Sequence, residues 1–161
     1  MGRKIEQVTM LHPADSPLAT GPDGPGGGVT PTILMVDDHP DIRRLLRVAL
    51  GNTFRIIEAE SGVDALAAIQ REHPRLVLLD VMMPGELDGL QVLDAIRADP
   101  SHRDTVVAML SARGQAQDND SARCRGADAY FVKPFSPLQV VCWVKDKLKQ
   151  SETRLGLKET P

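Results

Sequence analysis

Five side chains able to do chemistry stand at the ends of short apolar runs in this sequence. Asp37 and Asp38 follow 32–36, Asp80 follows 76–79, Ser111 follows 106–110, and Lys133 follows 129–132. Carboxylates within a few ångströms of one another repel by roughly 4 kcal/mol per close pair when the effective dielectric is about 20. A cluster of three must therefore raise its own pKa values or hold a cation, and one lysine offsets one charge only. Hard oxygen ligands that leave open positions suit Mg²⁺, so Asp37, Asp38 and Asp80 read as a weak divalent-cation site. Magnesium, an ammonium and a hydroxyl around one carboxylate are also the parts that handle a phosphoryl group: the cations neutralise its oxygens and the hydroxyl donates to another. The carboxylate itself can be the nucleophile and form an aspartyl phosphate. Asp80 is the natural candidate, because it ends the strand expected at the centre of the sheet.

This chemistry depends on elements that bring the five residues to one place. The runs 32–37, 76–80, 106–111 and 129–133, with a weaker one at 55–59, are apolar on consecutive positions. That texture suits strands covered on both faces, as in a parallel sheet. Helix-period segments lie between them. In 41–50, Ile42, Leu45, Leu46, Ala49 and Leu50 share a face. The segment 61–72 opens with Ser61 as a cap, and 90–98, 115–125 (closed by Gly126) and 136–149 complete the set. The order β-α repeats five times, which predicts an α/β fold: a doubly wound, five-stranded parallel sheet with helices on both faces. Ligands of open parallel sheets bind beyond the carboxyl ends of the strands. Those ends carry all five residues.

Composition narrows the function classes. Hydrophobic residues make up 42% and charged residues 25%, which excludes a wholly disordered chain. No apolar run approaches the roughly 18 residues of a membrane span, and the N-terminus has no apolar signal-peptide core. Net charge is −3, without the basic excess of a nucleic-acid binder, and Lys145, Lys147 and Lys149 read as a solvated face. Cys124 and Cys142 fit neither a disulfide framework nor a zinc site, and are expected as reduced thiols in a cytoplasmic protein. Residues 20–31 hold five glycines and three prolines, so 1–31 is expected to be a flexible extension. The folded unit is expected to be 32–150, with 151–161 a frayed helix end and a C-terminal tail.

Taken together the motifs resemble the receiver domain of two-component response regulators. The matching pieces are Val36-Asp37-Asp38, Leu79-Asp80-Val81-Met82-Met83-Pro84-Gly85, Asp88-Gly89, Ser111-Ala112, and Tyr130-Phe131-Val132-Lys133-Pro134-Phe135. They cover the whole of 32–150. The resemblance implies a flavodoxin-like receiver fold of the chemotaxis type and a signalling protein, not an enzyme beyond its own phosphorylation and dephosphorylation. It implies that Asp80 accepts phosphoryl from a histidine kinase or histidine phosphotransfer protein, and that Asp37, Asp38, Asp80 and the backbone carbonyl of Met82 hold Mg²⁺. Ser111 and Lys133 would contact the phosphoryl oxygens, Ser111 and Tyr130 would form the switch, and Lys133-Pro134 would be a cis peptide. The output would be a switched face made by 115–125, 129–133 and 136–149, used for binding an unknown downstream protein, for phosphorelay or for homodimerisation. No second domain is read after 150, so a stand-alone receiver is expected. The loop 84–89 is one residue longer than the family's usual form.

Other readings compete. An aspartate-nucleophile phosphohydrolase would place a second Asp two residues after Asp80, where this chain has Met82. A flavodoxin-like nucleotide binder would need a Gly- or Ser-rich loop after the first strand, where Asp37-Asp38-His39-Pro40 would repel phosphate. A receiver-like module that binds partners without phosphorylation is the third. Singly, Ser111 can cap a helix, Tyr130 can be an amphipathic core residue, and Trp143 can be either a partner anchor or core. His39 reads first as an exposed loop residue ahead of Pro40 and second as a group that tunes the acidic pair.

Overall fold

Strands apolar at every position need cover on both faces, and the fold supplies it. The computed structural model describes residues 30–112 and 123–159, with side chains as far as 151. Five strands, β1 (Thr32–Val36), β2 (Arg55–Ala59), β3 (Leu76–Asp80), β4 (Val106–Ser111) and β5 (Ala129–Val132), form one parallel sheet in the order β2-β1-β3-β4-β5. Side chains alternate between its faces, as the two-residue period of a strand requires. On one face Leu34, Val36, Val77, Leu79, Val107 and Met109 pack with Ala65, Ala68 and Ile69 of α2 (Gly62–Glu72) and Val92, Leu93 and Ile96 of α3 (Gly89–Ala98). On the other, Ile33, Met35, Leu76, Leu78, Ala108 and Leu110 pack with Leu46 and Leu50 of α1 (Pro40–Leu50) and Val140, Val141, Val144 and Leu148 of α4 (Pro137–Glu159). Every residue of β3 is buried. The strand expected at the centre of the sheet is there, and Asp80 ends it.

Capping chemistry explains the helix starts. Pro40 opens α1, where its missing N–H costs nothing. The Ser61 hydroxyl accepts from the Asp64 N–H at 3.1 Å and starts α2. Asp88 and Gln91 form a reciprocal capping box at the start of α3, with both hydrogen bonds at 2.9 Å. β1 and β5 stop one residue short of the expected runs, so Asp37 and Lys133 lie just beyond the strands. A short 3₁₀ turn at Pro100–His102 was not expected; Pro100 and the Asp99 side chain, which accepts from the Ser101 N–H at 2.9 Å, account for it.

The last helix runs on to Glu159, so the helix end expected in 151–161 takes up most of that segment. No proline interrupts it before 161, and a lone Gly156 costs only about 1 kcal/mol. Of the extension 1–31, residues 1–29 lie outside the described residues. So does most of the expected helix 115–125: Arg123 and Cys124 are helical, and Gly126 takes φ +99°, the left-handed conformation of a C′ glycine. Among the described residues no helix is long and apolar enough to cross a membrane.

Candidate functional site

Backbone hydrogen bonds carry the sheet past its strand ends and fix the site. The Asp37 N–H donates to Ala59 O at 3.2 Å, the Val81 N–H to Leu110 O at 2.8 Å and the Lys133 N–H to Ser111 O at 2.6 Å. Asp37, Asp80 and Lys133 are thereby held at the carboxyl edge of β1, β3 and β5. Lys133 Nζ donates to Asp37 Oδ2 at 2.8 Å and stands 3.4 Å from Asp80 Oδ1. The peptide bond Lys133–Pro134 is cis. The His39 N–H donates to Asp37 Oδ1 at 2.9 Å; its ring Nδ1 lies 3.1 Å from the same oxygen and 3.3 Å from Asp38 Oδ1. His39 is exposed, as its first reading expects, and its ring touches the acidic pair. Ligand atoms of Asp37, Asp38, His39 and Asp80 lie within 4.8 Å of one another.

The charges do not balance. Asp37 is 1% exposed and Asp80 3%. Burial first, and then the charge of Asp37, push the Asp80 carboxyl up to about 7; Lys133 opposes this and Asp38 adds to it. Burial alone would lower the Lys133 ammonium, but its hydrogen bond to Asp37 and the charges of Asp80 and Asp37 hold it above the usual lysine value. One ammonium thus faces two buried carboxylates with a third beside them. Asp38 Oδ1 is buried and accepts no hydrogen bond, although the His39 ring nitrogen stands 3.3 Å away. Three carboxylates with an orphaned oxygen fit a hard divalent cation, and the His39 nitrogen, engaged with Asp37, does not belong to that donor set.

Ser111 is fully buried at the end of β4, one residue beyond Leu110, the register partner of Asp80, and its hydroxyl donates to Ala112 O at 3.1 Å. Tyr130 is half-buried, opposite Met109 in the register, and packs against the core cluster of α2 and α3. The Met82 side chain is 57% exposed. Trp143 is half-buried against Phe131, edge to face at 5.8 Å between ring centroids, with Lys147 Nζ 6.0 Å from its ring.

The family model of the response regulator receiver domain matches residues 33–145. The chain belongs to that family. The receiver is 40% identical over 121 residues to a probable transcriptional regulator, ycf27, of Cyanophora paradoxa, covering 74% of this chain and 49% of that protein. It is 40% identical over 122 residues to the transcriptional regulatory protein SrrA of Staphylococcus aureus, covering 75% and 49%. The chain therefore spans about half the length of these curated relatives. Among solved structures it resembles a putative response regulator from Chloroflexus aurantiacus, with 31% identity and TM-score 0.70, covering 75% of this chain and 99% of that one. It also resembles the receiver domain of NtrX from Brucella abortus, with 37% identity and TM-score 0.66 over 73% and 98%. Response regulators are signalling proteins.

Positioning residues of this receiver escaped the sequence reading. Arg43 on α1 donates to the Asp37 carbonyl at 2.7 Å and to Glu58 at 2.8 Å, and Glu58 also pairs with Arg47. The two guanidiniums hold the Glu58 carboxyl below its ordinary value although burial works against them. Helix spacing marks Arg43 as polar but does not say that it reaches back to the strand end. Arg43→Met is expected to lower stability by about 1–3 kcal/mol, since a charge-assisted bond is lost and a carbonyl is left unpaired. It is also expected to weaken magnesium binding; urea unfolding with and without magnesium measures both.

Gly89 is the other. A Cβ there would lie 2.0 Å from the Asp80 carbonyl oxygen and 2.8 Å from Val81 Cα, and the Gly89 N–H donates to Val81 O at 2.8 Å. The start of α3 is thus packed directly on the end of β3. Across the loop 84–89, Leu87 rests where a Cβ on Gly62 would collide at 2.6 Å. Gly89→Ala must push α3 off the strand, and is expected to cost at least ~1–3 kcal/mol, the usual range for overpacking. Thermal unfolding of the variant is the measurement. The signal in the sequence was the Asp88-Gly89 pair, whose glycine looked like part of a motif and not like a contact with Asp80.

Proposed function

We propose that Asp80 takes up a phosphoryl group, in a magnesium-dependent way, from a histidine kinase or histidine phosphotransfer protein. The domain thereby switches the face made by β5, α4 and 115–125. One observation carries this reading: a carboxylate buried at the end of the central strand, beside two other carboxylates and a single ammonium. Asp37, Asp38, Asp80 and the main-chain carbonyl of Met82 would hold the magnesium, which when bound neutralises the carboxylates and the oxygens of the incoming phosphoryl group. An Asp80 oxygen attacks phosphorus; the new O–P bond forms as the donor's N–P bond breaks, and the electron pair returns to the histidine ring. Lys133 Nζ, already within 3.4 Å of Asp80, pairs with a phosphoryl oxygen, and the Ser111 hydroxyl donates to another.

The modification takes the Asp80 charge from −1 to roughly −2 and adds strong acceptors. Contacts that differ by about 1–3 kcal/mol between two loop arrangements shift their populations some 5- to 150-fold. Ser111 moves toward the phosphoryl group and Tyr130 follows. Support for an output on this face comes from Val132 at 44% and Leu138 at 69% exposed, apolar side chains next to Lys133 and at the start of α4. The face then serves partner binding, phosphorelay or homodimerisation. Incubation with a small acyl phosphate tests the proposal: one phosphoryl group should appear by intact mass with magnesium present and none with a chelator. Equal labelling in both conditions would refute it.

A further inference from the structure

The amino edge of the sheet, opposite the Asp80 rim, holds a cavity. It lies between the residue before β3, the turn before β4, the residue before β5 and the middle of α4. Its volume is about 580 Å³, within the roughly 300–1,000 Å³ of small-molecule sites. The lining holds Arg75, Arg97, Arg103 and Lys147 against Asp104 and Asp128, with His73 and His102. Arg97 is occupied within the fold. It donates to the carbonyls of Gly126 at 2.9 Å and Thr105 at 2.7 Å and pairs with Asp128 at 3.0 Å. Asp128 in turn accepts from the Val107 N–H at 2.9 Å. With that pair set aside, Arg75, Arg103 and Lys147 remain against Asp104 alone.

Two nitrogens of the lining are buried with no hydrogen-bond partner, Arg75 Nη2 and His102 Nε2. His102 is 2% exposed, and its ring stacks on His73 at 5.3 Å between centroids. The Asp99 carboxylate stands 3.7 Å from Nε2, beyond hydrogen-bond reach. The main chain of Arg75 is fixed at the sheet edge, because its backbone N–H donates to Thr32 O at 2.9 Å and its carbonyl accepts from the Val106 N–H at 3.0 Å. Buried, unpaired nitrogens beside a net positive lining disfavour an apolar ligand or a cation. They are the donor set that phosphate oxygens accept from, and a guanidinium does so with two parallel N–H groups.

We propose that this cavity is a second ligand site, distinct from the Asp80 rim, that takes a small phosphate-bearing anion. Arg75 and His102 donate to its oxygens, and Arg103 and Lys147 neutralise its charge. The test is a pyrophosphate titration of the ¹⁵N-labelled full chain in chelator, with ionic strength held constant by sodium chloride. Saturable shifts are expected at residues 75, 101–106 and 128. Arg75→Gln should weaken binding roughly tenfold or more, from the loss of a charge-assisted donor. The double variant Arg103→Gln, Lys147→Gln should weaken it several-fold and leave magnesium-dependent phosphorylation unchanged. Shifts reproduced by sodium chloride alone, no saturation at millimolar pyrophosphate, or shifts confined to the Asp37–Asp80 rim would overturn the proposal. Should Arg75→Gln not fold, unchanged affinity in the double variant overturns it equally.

Discussion

Asp80→Asn is expected to abolish covalent phosphate uptake from a small acyl phosphate, down to the background of the untreated protein. The amide keeps the shape of the side chain but has no nucleophilic oxygen of useful strength, and no other carboxylate occupies the same position at the strand end. Asp37 cannot substitute, because its Oδ2 is tied to Lys133 at 2.8 Å and its Oδ1 to the His39 N–H at 2.9 Å. Lys133→Met should leave an acceptor that labels more slowly, by about 10- to 100-fold, which corresponds to the roughly 1.5–3 kcal/mol of a hydrogen bond to a charged group. Intact mass and peptide mapping of the labelled protein measure both effects. Label persisting in Asp80→Asn would move the acceptor elsewhere and sink the assignment while leaving the fold intact.

The metal-free protein is expected to lose stability as pH rises from about 4 to 7. The Asp80 carboxyl titrates at about 7 in the fold against 3.8 when exposed. Between those values the unfolded chain has released its proton and the native state still holds one, so stability falls with rising pH and levels off above 7. The full span of the shift is on the order of 4 kcal/mol. The Glu58 and Glu72 carboxyls, both lowered in the fold, work in the opposite sense: their contribution is present above 4.5 and is lost as pH falls through their lower native values. The two windows therefore separate. Asp80→Asn should remove the decline between pH 4 and 7 and make the metal-free protein more stable than the parent at pH 8. Magnesium competes with the same proton, so its affinity should rise as pH passes upward through 7. Urea midpoints at several pH values, with and without magnesium, measure the effect. A flat profile in the metal-free parent would mean that Asp80 is solvated and charged, contrary to its burial.

Much of this site was legible in the sequence because a parallel sheet turns linear order into a shared edge. Each apolar run becomes a strand, parallel strands end on the same side, and the residue that follows each run arrives there. Asp37, Asp38, Asp80, Ser111 and Lys133 could be named from that rule alone. The alternation that divides Leu34 and Leu79 from Ile33 and Leu78 was equally implicit, since strands apolar throughout must bury both faces. The sequence did not reveal what depends on reach across the fold. Arg43 is an ordinary helix arginine until α1 packs beside β2 and its guanidinium meets Glu58 and the Asp37 carbonyl. Gly89 is a motif glycine until the start of α3 comes within an atom's width of the Asp80 carbonyl. Arg75 and His102 are 27 positions apart by their numbering and share no pattern, yet the segments leading into β3 and β4 set both in one cavity at the far edge. Periodicity reports which face a side chain takes within its own element. Distances between elements, and hence pairing, desolvation and pKa, exist only once the layers have packed.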